Sequence, residues 1–257
     1  MSDQPDKHAC SACQGGTPLG FDFSMAFQPI VDARDQSVYA YEALVRGTDG
    51  SGAASILGRV TEENRYAFDQ ACRVKAVELA ARLEMPCKLS INFLPNAVYQ
   101  PATCIRATLA AARRFGFPLE RIIFEITERE ELVDKEHLKG IIHEYQRQSF
   151  KTAIDDFGAG YSGLNLLAEF QPDIIKLDMA LVRDIDTDPV RQAIIQGILG
   201  VCQALDIEVI AEGIESVGEM HYLQRSGVYL LQGYLFARPL FETLPEVTWP
   251  AETFVAP

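Results

Sequence analysis

The sequence predicts an α/β barrel. About eight short β-rich runs alternate with longer amphipathic runs over roughly 235 residues, the pattern of a (β/α) barrel. Several of the strand runs, such as Arg121-Ile122-Ile123-Phe124, contain continuous apolar stretches rather than alternation, as expected where helices cover a parallel sheet. A doubly wound open sheet is the alternative, but the glycine-rich phosphate turn expected after its first strand is missing.

In order, the strands are read at Ala26–Val31, Val38–Val45, Lys88–Phe93, Arg121–Thr127, Thr152–Asp156, Asp173–Leu177, Glu208–Ala211 and Tyr229–Gln232. Helices are read between them at Glu62–Leu83, Pro101–Phe115, Lys135–Gln148, Gly163–Phe170, Pro189–Leu205 and Ser216–Ser226. In the longest, Phe68, Cys72, Ala76, Leu79 and Leu83 recur at spacings of three and four, which places them on one helical face. Residues 1–20 are polar, aperiodic and rich in Gly and Pro, and read as a flexible leader; residues 21–257 form the barrel.

A single barrel can absorb all 257 residues. With 48% hydrophobic and 23% charged residues, the composition is that of an ordinary soluble protein. No apolar run approaches the roughly 18 residues of a membrane span, and the N-terminus lacks a secretory pattern, so a cytoplasmic protein without membrane insertion is expected. Thirty-six acids against 23 Lys and Arg give a net charge of −13, which argues against a grip on nucleic-acid polymers or anionic lipid. An anionic substrate would need local neutralisation, for which divalent metal is the obvious means. Cys72, Cys87, Cys104 and Cys202 sit singly in apolar contexts and read as buried reduced thiols. Cys10 and Cys13, preceded by His8, form one Cys-x-x-Cys pair, short of the four ligands of a structural zinc site. A plain leader, a redox pair and a metal site shared between molecules all fit that pair.

Chemistry concentrates at the strand ends. Glu42, Asn92, Glu125, Asp155 with Asp156, Glu212 and Gln232 close successive strands, and Lys176 and Asp178 end another. In a parallel barrel these ends meet at one face. Five clustered acids repel one another by several kcal/mol unless cations are bound. The set is all oxygen, because His137, His143 and His221 fall on helical stretches; such donors suit Mg²⁺ or Mn²⁺ and disfavour zinc. Adjacent Asp155 and Asp156 suggest two ions, the usual device for in-line displacement at phosphorus. Lys176 can orient the attacking water or stabilise the charged transition state, and Arg46 offers a fork for a phosphate oxygen. The segment Asp156–Ser162, with two glycines, reads as a loop beside these ligands.

Glu42-Ala43-Leu44-Val45-Arg46 resembles the signature of the EAL domain, the cyclic di-GMP phosphodiesterase family. Further matching motifs follow in order: Phe27-Gln28-Pro29-Ile30-Val31, Ser90-Ile91-Asn92, Glu125-Ile126-Thr127-Glu128, Asp155 through Ser162, Ile175-Lys176-Leu177-Asp178, Ile210 through Glu215, and Gln232-Gly233-Tyr234-Leu235-Phe236. The resemblance covers about residues 22–242. It implies a TIM-like (β/α)8 barrel with one reversed strand, which hydrolyses cyclic di-GMP to linear pGpG with two Mg²⁺ or Mn²⁺ ions per site. It implies that Glu42, Asn92, Glu125 and Asp155 hold the first metal. Asp155 would bridge to a second, near Asp156 and Glu212. Lys176 would contact the attacking water, Gln232 would support the site, and Glu212 would serve as base. Gln28, Leu44, Arg46, Asp178 and Tyr234 would contact substrate, and Glu128 would anchor the Asp156–Ser162 loop.

The chain departs from the family pattern twice. After Arg46 it runs Gly47-Thr48-Asp49-Gly50, where an aromatic and a proline are common. That stretch is similar to EAL domains joined to blue-light-sensing flavin domains; with about 20 residues before the barrel, no such sensor is expected. Gly163 stands where a second serine is common. The competing reading is a catalytically weak cyclic di-GMP receptor, but such relatives usually lose Glu42 or an aspartate, and both are kept here. Family members commonly form dimers beside the loop. Leu164, Leu166, Leu167 and Phe170 exceed what one helix can bury against the barrel, so a homodimer is expected.

Overall fold

A computed structural model of the protein describes residues 19–127, 135–160 and 163–251. The chain opens with β1 (Phe23–Asp32) and β2 (Ser37–Gly47), joined by only four residues. So short a link can only make an antiparallel pair, since a parallel neighbour needs a crossover of a dozen residues or more. Gln28 accordingly lies opposite Glu42, and Ile30 opposite Ala40. Every later strand is reached through helices and runs parallel to its predecessor: β3 (Lys88–Asn92), β4 (Ile122–Thr127), β5 (Lys151–Phe157), β6 (Ile174–Leu177), β7 (Glu208–Ala211) and β8 (Leu230–Gln232). β1 then pairs antiparallel with β8 through Ile30 and Gln232, which closes an eight-stranded barrel. The reversed strand is therefore β1. A two-residue β9 (Leu240–Phe241) adds to its free end.

The helices are α1 (Ala53–Leu57), α2 (Arg65–Arg82), α3 (Pro101–Cys104), α4 (Arg106–Phe115), α5 (Lys135–Arg147), α6 (Gly163–Glu169), α7 (Met179–Val182), α8 (Pro189–Ala204) and α9 (Val217–Arg225). The helix expected over 101–115 is interrupted at Ile105, whose side chain is buried along with that of Cys104. α1, α7 and β9 were not expected; they span five, four and two residues, too few for a hydrophobic period to show. Caps follow local chemistry. Asp188 accepts from the Val190 and Arg191 amides ahead of Pro189, and Ser216 with Glu219 forms a capping box.

Inside the barrel, Ile30, Ala40, Ile123, Ala153, Ile174, Ile210 and Leu230 form one buried apolar layer. Two residues further toward the mouth on the same strands stand Gln28, Glu42, Glu125, Asp155, Lys176, Glu212 and Gln232. Strand side chains alternate with a period of two, so an apolar floor and a polar layer above it follow from one register. Among the described residues, no helix is long and apolar enough to cross a membrane.

Candidate active site

The polar layer is organised around one lysine. Lys176 on β6 is fully buried, and its Nζ lies 3.2 Å from Glu42 Oε2, 3.0 Å from Glu125 Oε2, 2.9 Å from Asp155 Oδ1 and 2.8 Å from Glu212 Oε1. Amides fill the gaps. Asn92 Nδ2 donates to Glu42 Oε1 at 2.8 Å and to Glu125 Oε2 at 3.3 Å. Gln232 Nε2 donates to Glu42 Oε2 at 2.8 Å and to Gln28 Oε1 at 3.3 Å, while Gln28 Nε2 reaches the Ala237 carbonyl at 3.2 Å.

One ammonium cannot balance four carboxylates, of which Glu42 and Glu125 are buried and Asp155 and Glu212 partly so. Burial opposes the charge on Lys176, yet attraction from Asp155, Glu125, Glu212 and Glu42 holds it well above its ordinary range. Burial likewise opposes ionisation of Glu42, but Lys176 and the hydrogen bonds from Gln232 and Asn92 keep its carboxyl low. Glu125 and Glu212 go the other way. Burial pushes both well above the usual carboxylate range, Lys176 offsets it incompletely, and neighbouring acids add to the rise. The cluster is short of positive charge.

Asp155 and Asp156 are consecutive, so a regular strand would send them to opposite faces. The pairing of β5 with β6 shifts register between Ile154 and Phe157, and Asp156 takes a left-handed backbone with φ 55°. This irregularity lets both carboxylates line one cavity of about 320 Å³ at the barrel mouth. Asp is among the few residue types that tolerate that conformation.

The same cavity brings together the expected Gln28, Glu42, Asp178, Glu212, Gln232 and Tyr234. Asp178 also caps α7 by accepting from the Ala180 amide at 2.8 Å. Leu44 lines a separate apolar cavity, of about 220 Å³, which it shares with Asn92. Arg46 bonds its own neighbour's carbonyl, at Val45, through Nη1. Glu128 lies outside the described residues, as do Cys10, Cys13 and the end of the Asp156–Ser162 loop. Sequence reasoning gave no role to Ser90, whose hydroxyl donates to Glu125 Oε1 at 2.5 Å. Its signal was available, because Ser90 and Asn92 are two apart on one strand and face the same way. Met179 and Glu215, which also line the mouth, carried no such signal.

The residues fit a hard divalent cation. One oxygen from each of Glu42, Glu125 and Asp155 lies within 4.8 Å of the others. Asp155 Oδ1, although near Lys176, makes no hydrogen bond of acceptable geometry, and Gln232 Oε1 is buried without a partner. Oxygen donors with spare lone pairs and surplus negative charge are what such an ion requires.

A TIM-like barrel with one reversed strand and an acid-rich mouth around a buried lysine defines the class. The chain belongs to the EAL domain family, which matches residues 19–239. It is 34% identical over 251 residues to the blue light- and temperature-regulated antirepressor BluF of Escherichia coli K12, covering 97% of this chain and 62% of that protein. Its identity to the probable cyclic di-GMP phosphodiesterase PdeD of the same organism is 32% over 226 residues, 85% of this chain and 42% of PdeD. Among solved structures, a standalone versatile EAL protein from Vibrio cholerae O395, in its c-di-GMP-bound form, superposes with a TM-score of 0.88 at 54% identity. That match covers 93% of this chain and 100% of the other. The manganese/cyclic-di-GMP complex of Klebsiella pneumoniae BlrP1 gives a TM-score of 0.84 at 35% identity, over 91% of this chain and 60% of that one. The chain thus spans less than two thirds of both curated relatives.

Proposed function

We propose that the protein is a cytoplasmic phosphodiesterase that hydrolyses cyclic di-GMP to linear pGpG with two Mg²⁺ or Mn²⁺ ions. The observation that carries this reading is the buried Lys176 within 3.2 Å of four carboxylates, beneath an open cavity that Glu42, Asp155 and Glu212 line. Similarity to PdeD, and to structures holding cyclic di-GMP with or without manganese, supports the same substrate. Glu42, Asn92, Glu125 and Asp155 would hold the first ion, with Asp155, Asp156 and Glu212 toward the second. When bound, the ions supply Lewis-acid activation of water and offset charge at phosphorus. The chain's own residues do the rest. Gln232 and Asn92 fix the rotamer of Glu42, Lys176 orients the attacking water and stabilises developing negative charge, and Glu212 accepts the water's proton. Gln28, Leu44, Arg46, Asp178 and Tyr234 would contact the nucleotide. Incubation with cyclic di-GMP and Mn²⁺, followed by chromatography, should yield pGpG, and excess EDTA should abolish it. Binding without product would favour the receptor reading, and neither binding nor product would favour a protein-directed role like the one BluF's name describes.

Protonation makes a second expectation. Carboxyls pushed up by burial, Glu125 and Glu212, stabilise the metal-free fold fully below the ordinary glutamate range. That contribution is lost as pH rises through their raised values. Glu42, held low, has the opposite sign and loses its contribution only in acid. An incoming cation displaces the protons on Glu125 and Glu212, so Mn²⁺ should raise Tm more at about pH 8.5 than at about pH 6. An equal shift at both would remove proton release from the account.

Assembly as a homodimer belongs to the same proposal. Leu166, Leu167 and Phe170 are buried, so of the four apolar residues that one helix was expected to bury only in part, Leu164 alone is exposed, at 62%. α8 supplies the remainder. Ile194 and Val201 are exposed and, with Leu164, line an apolar groove of about 710 Å³ that reaches Phe157 and Gly158. Gly158 has φ 94°, and a Cβ there would lie 2.3 Å from Leu181 Cδ1, so this backbone lies against α7. A two-fold pair burying the groove would abut the segment that follows Asp155 and Asp156. Sedimentation across a dilution series should show a dimer that Leu164→Glu shifts toward monomer. A wild-type chain that stays monomeric at every concentration would overturn the dimer alone.

A further inference from the structure

A second buried ionic cluster lies behind the site, and the mechanism above does not use it. Asp69 and Arg73, one turn apart on α2, form an ion pair with both side chains almost wholly buried. Arg73 Nη1 also donates to the Tyr145 hydroxyl at 2.9 Å. Such a pair is weak grounds for stability, because well-packed apolar residues of similar volume often do as well. What apolar residues could not supply is the pair's other contact. Asp69 Oδ1 accepts from the Leu94 amide at 2.9 Å, two residues beyond Asn92.

That bond sits where β3 leaves the sheet. Phe93 N still donates to the Glu125 carbonyl at 3.1 Å, but Leu94 is past the ladder, and its amide turns to α2. Asp69 and Asn92 line the same apolar cavity, so the anchor and the ligand share one wall. Asn92 in turn holds Glu42 and Glu125. Tyr145, steadied by Arg73, packs against Phe93 and Phe124, the neighbours of Asn92 and Glu125 along their strands.

We propose that Asp69 is a positioning residue: by accepting from the Leu94 amide it fixes the exit of β3 and so aims the Asn92 carboxamide at the cation site, with Arg73 holding the carboxylate in place. The inference rests on the phosphodiesterase reading and adds to it a residue that touches neither substrate nor cation. Supporting shells of this kind commonly set metal affinity by 10- to 100-fold.

The test compares two double variants that both remove the charge pair. D69N/R73M keeps an oxygen that can accept from Leu94, whereas D69L/R73M does not. Mn²⁺ affinity is read by calorimetry on each, beside kcat and KM for cyclic di-GMP. D69L/R73M should bind Mn²⁺ at least about 10-fold more weakly and lose kcat with little change in KM, and D69N/R73M should recover both to within about 3-fold of wild type. Wild-type Mn²⁺ affinity in D69L/R73M, or equal damage in both, would overturn the proposal. Should D69L/R73M not fold, D69S/R73M, whose short side chain cannot reach Leu94, replaces it. Because calorimetry needs no turnover, a wild type that binds Mn²⁺ without cleaving would sink the enzymatic reading and still report on Asp69.

Discussion

Replacing Glu42 by alanine should lower turnover of cyclic di-GMP at least about 10³-fold, equivalent to roughly 4 kcal/mol in the barrier. Glu42, like Glu125, accepts three side-chain hydrogen bonds in the site. Its Oε1 takes a hydrogen bond from Asn92, and its Oε2 takes those of Gln232 and Lys176. It is also one of the three acids whose oxygens converge within 4.8 Å. Alanine therefore removes a ligand and, at the same stroke, takes one acceptor from each of Asn92, Gln232 and Lys176. Glu42→Gln separates the two effects, because it keeps the volume and one acceptor while losing the charge. The expected order of kcat is wild type, then Glu42→Gln, then Glu42→Ala, measured at saturating Mn²⁺ with folding checked by circular dichroism. A folded Glu42→Ala chain that keeps more than about a tenth of wild-type turnover would remove Glu42 from the ligand set.

Why so much of the site was legible follows from the barrel's geometry. Seven inward positions of the mouth layer lie two residues from an apolar partner, as Glu125 lies from Ile123 and Lys176 from Ile174. A carboxylate or lysine at the end of an otherwise apolar strand is therefore a signal a single sequence can show. The reversal of β1 was carried by family resemblance rather than by period, since alternation is the same in either direction; the four-residue link to β2 is what dictates it physically. Asp156 shows the limit of the period argument. Its placement beside Asp155 depends on a local irregularity and a left-handed backbone, neither of which has a hydrophobic period. Asp69 and Arg73 were invisible for another reason. At helical spacing of four they read as an ordinary surface pair, and only the packing of α2 on the barrel reveals that they are buried and bonded to the exit of β3.

Replacing Lys176 by methionine should cut kcat about 10²- to 10³-fold while moving KM for cyclic di-GMP by less than about 3-fold. Methionine fills much of the same volume, so the loss reports on the charge rather than on a cavity. Lys176 Nζ sits among oxygens of Glu42, Glu125, Asp155 and Glu212, below the cavity floor rather than on its wall, because it is fully buried and absent from the cavity lining. A ground-state nucleotide bound at the mouth gains little from so deep a group, which is why KM should hardly change. Negative charge grows at phosphorus as water attacks, and a fixed ammonium in a low-dielectric floor stabilises that growth without reorganising. The same substitution removes the attraction that offsets burial at Glu42, so that acid should bind its proton more tightly in the metal-free protein. More Mn²⁺ would then be needed for half-maximal rate at low pH, an effect that shrinks as pH rises. Steady-state kinetics across Mn²⁺ concentration and pH resolve both consequences. A near-normal kcat in Lys176→Met would strip the lysine of its transition-state role, and a KM that rises in step with the fall in kcat would make it a substrate-binding residue instead.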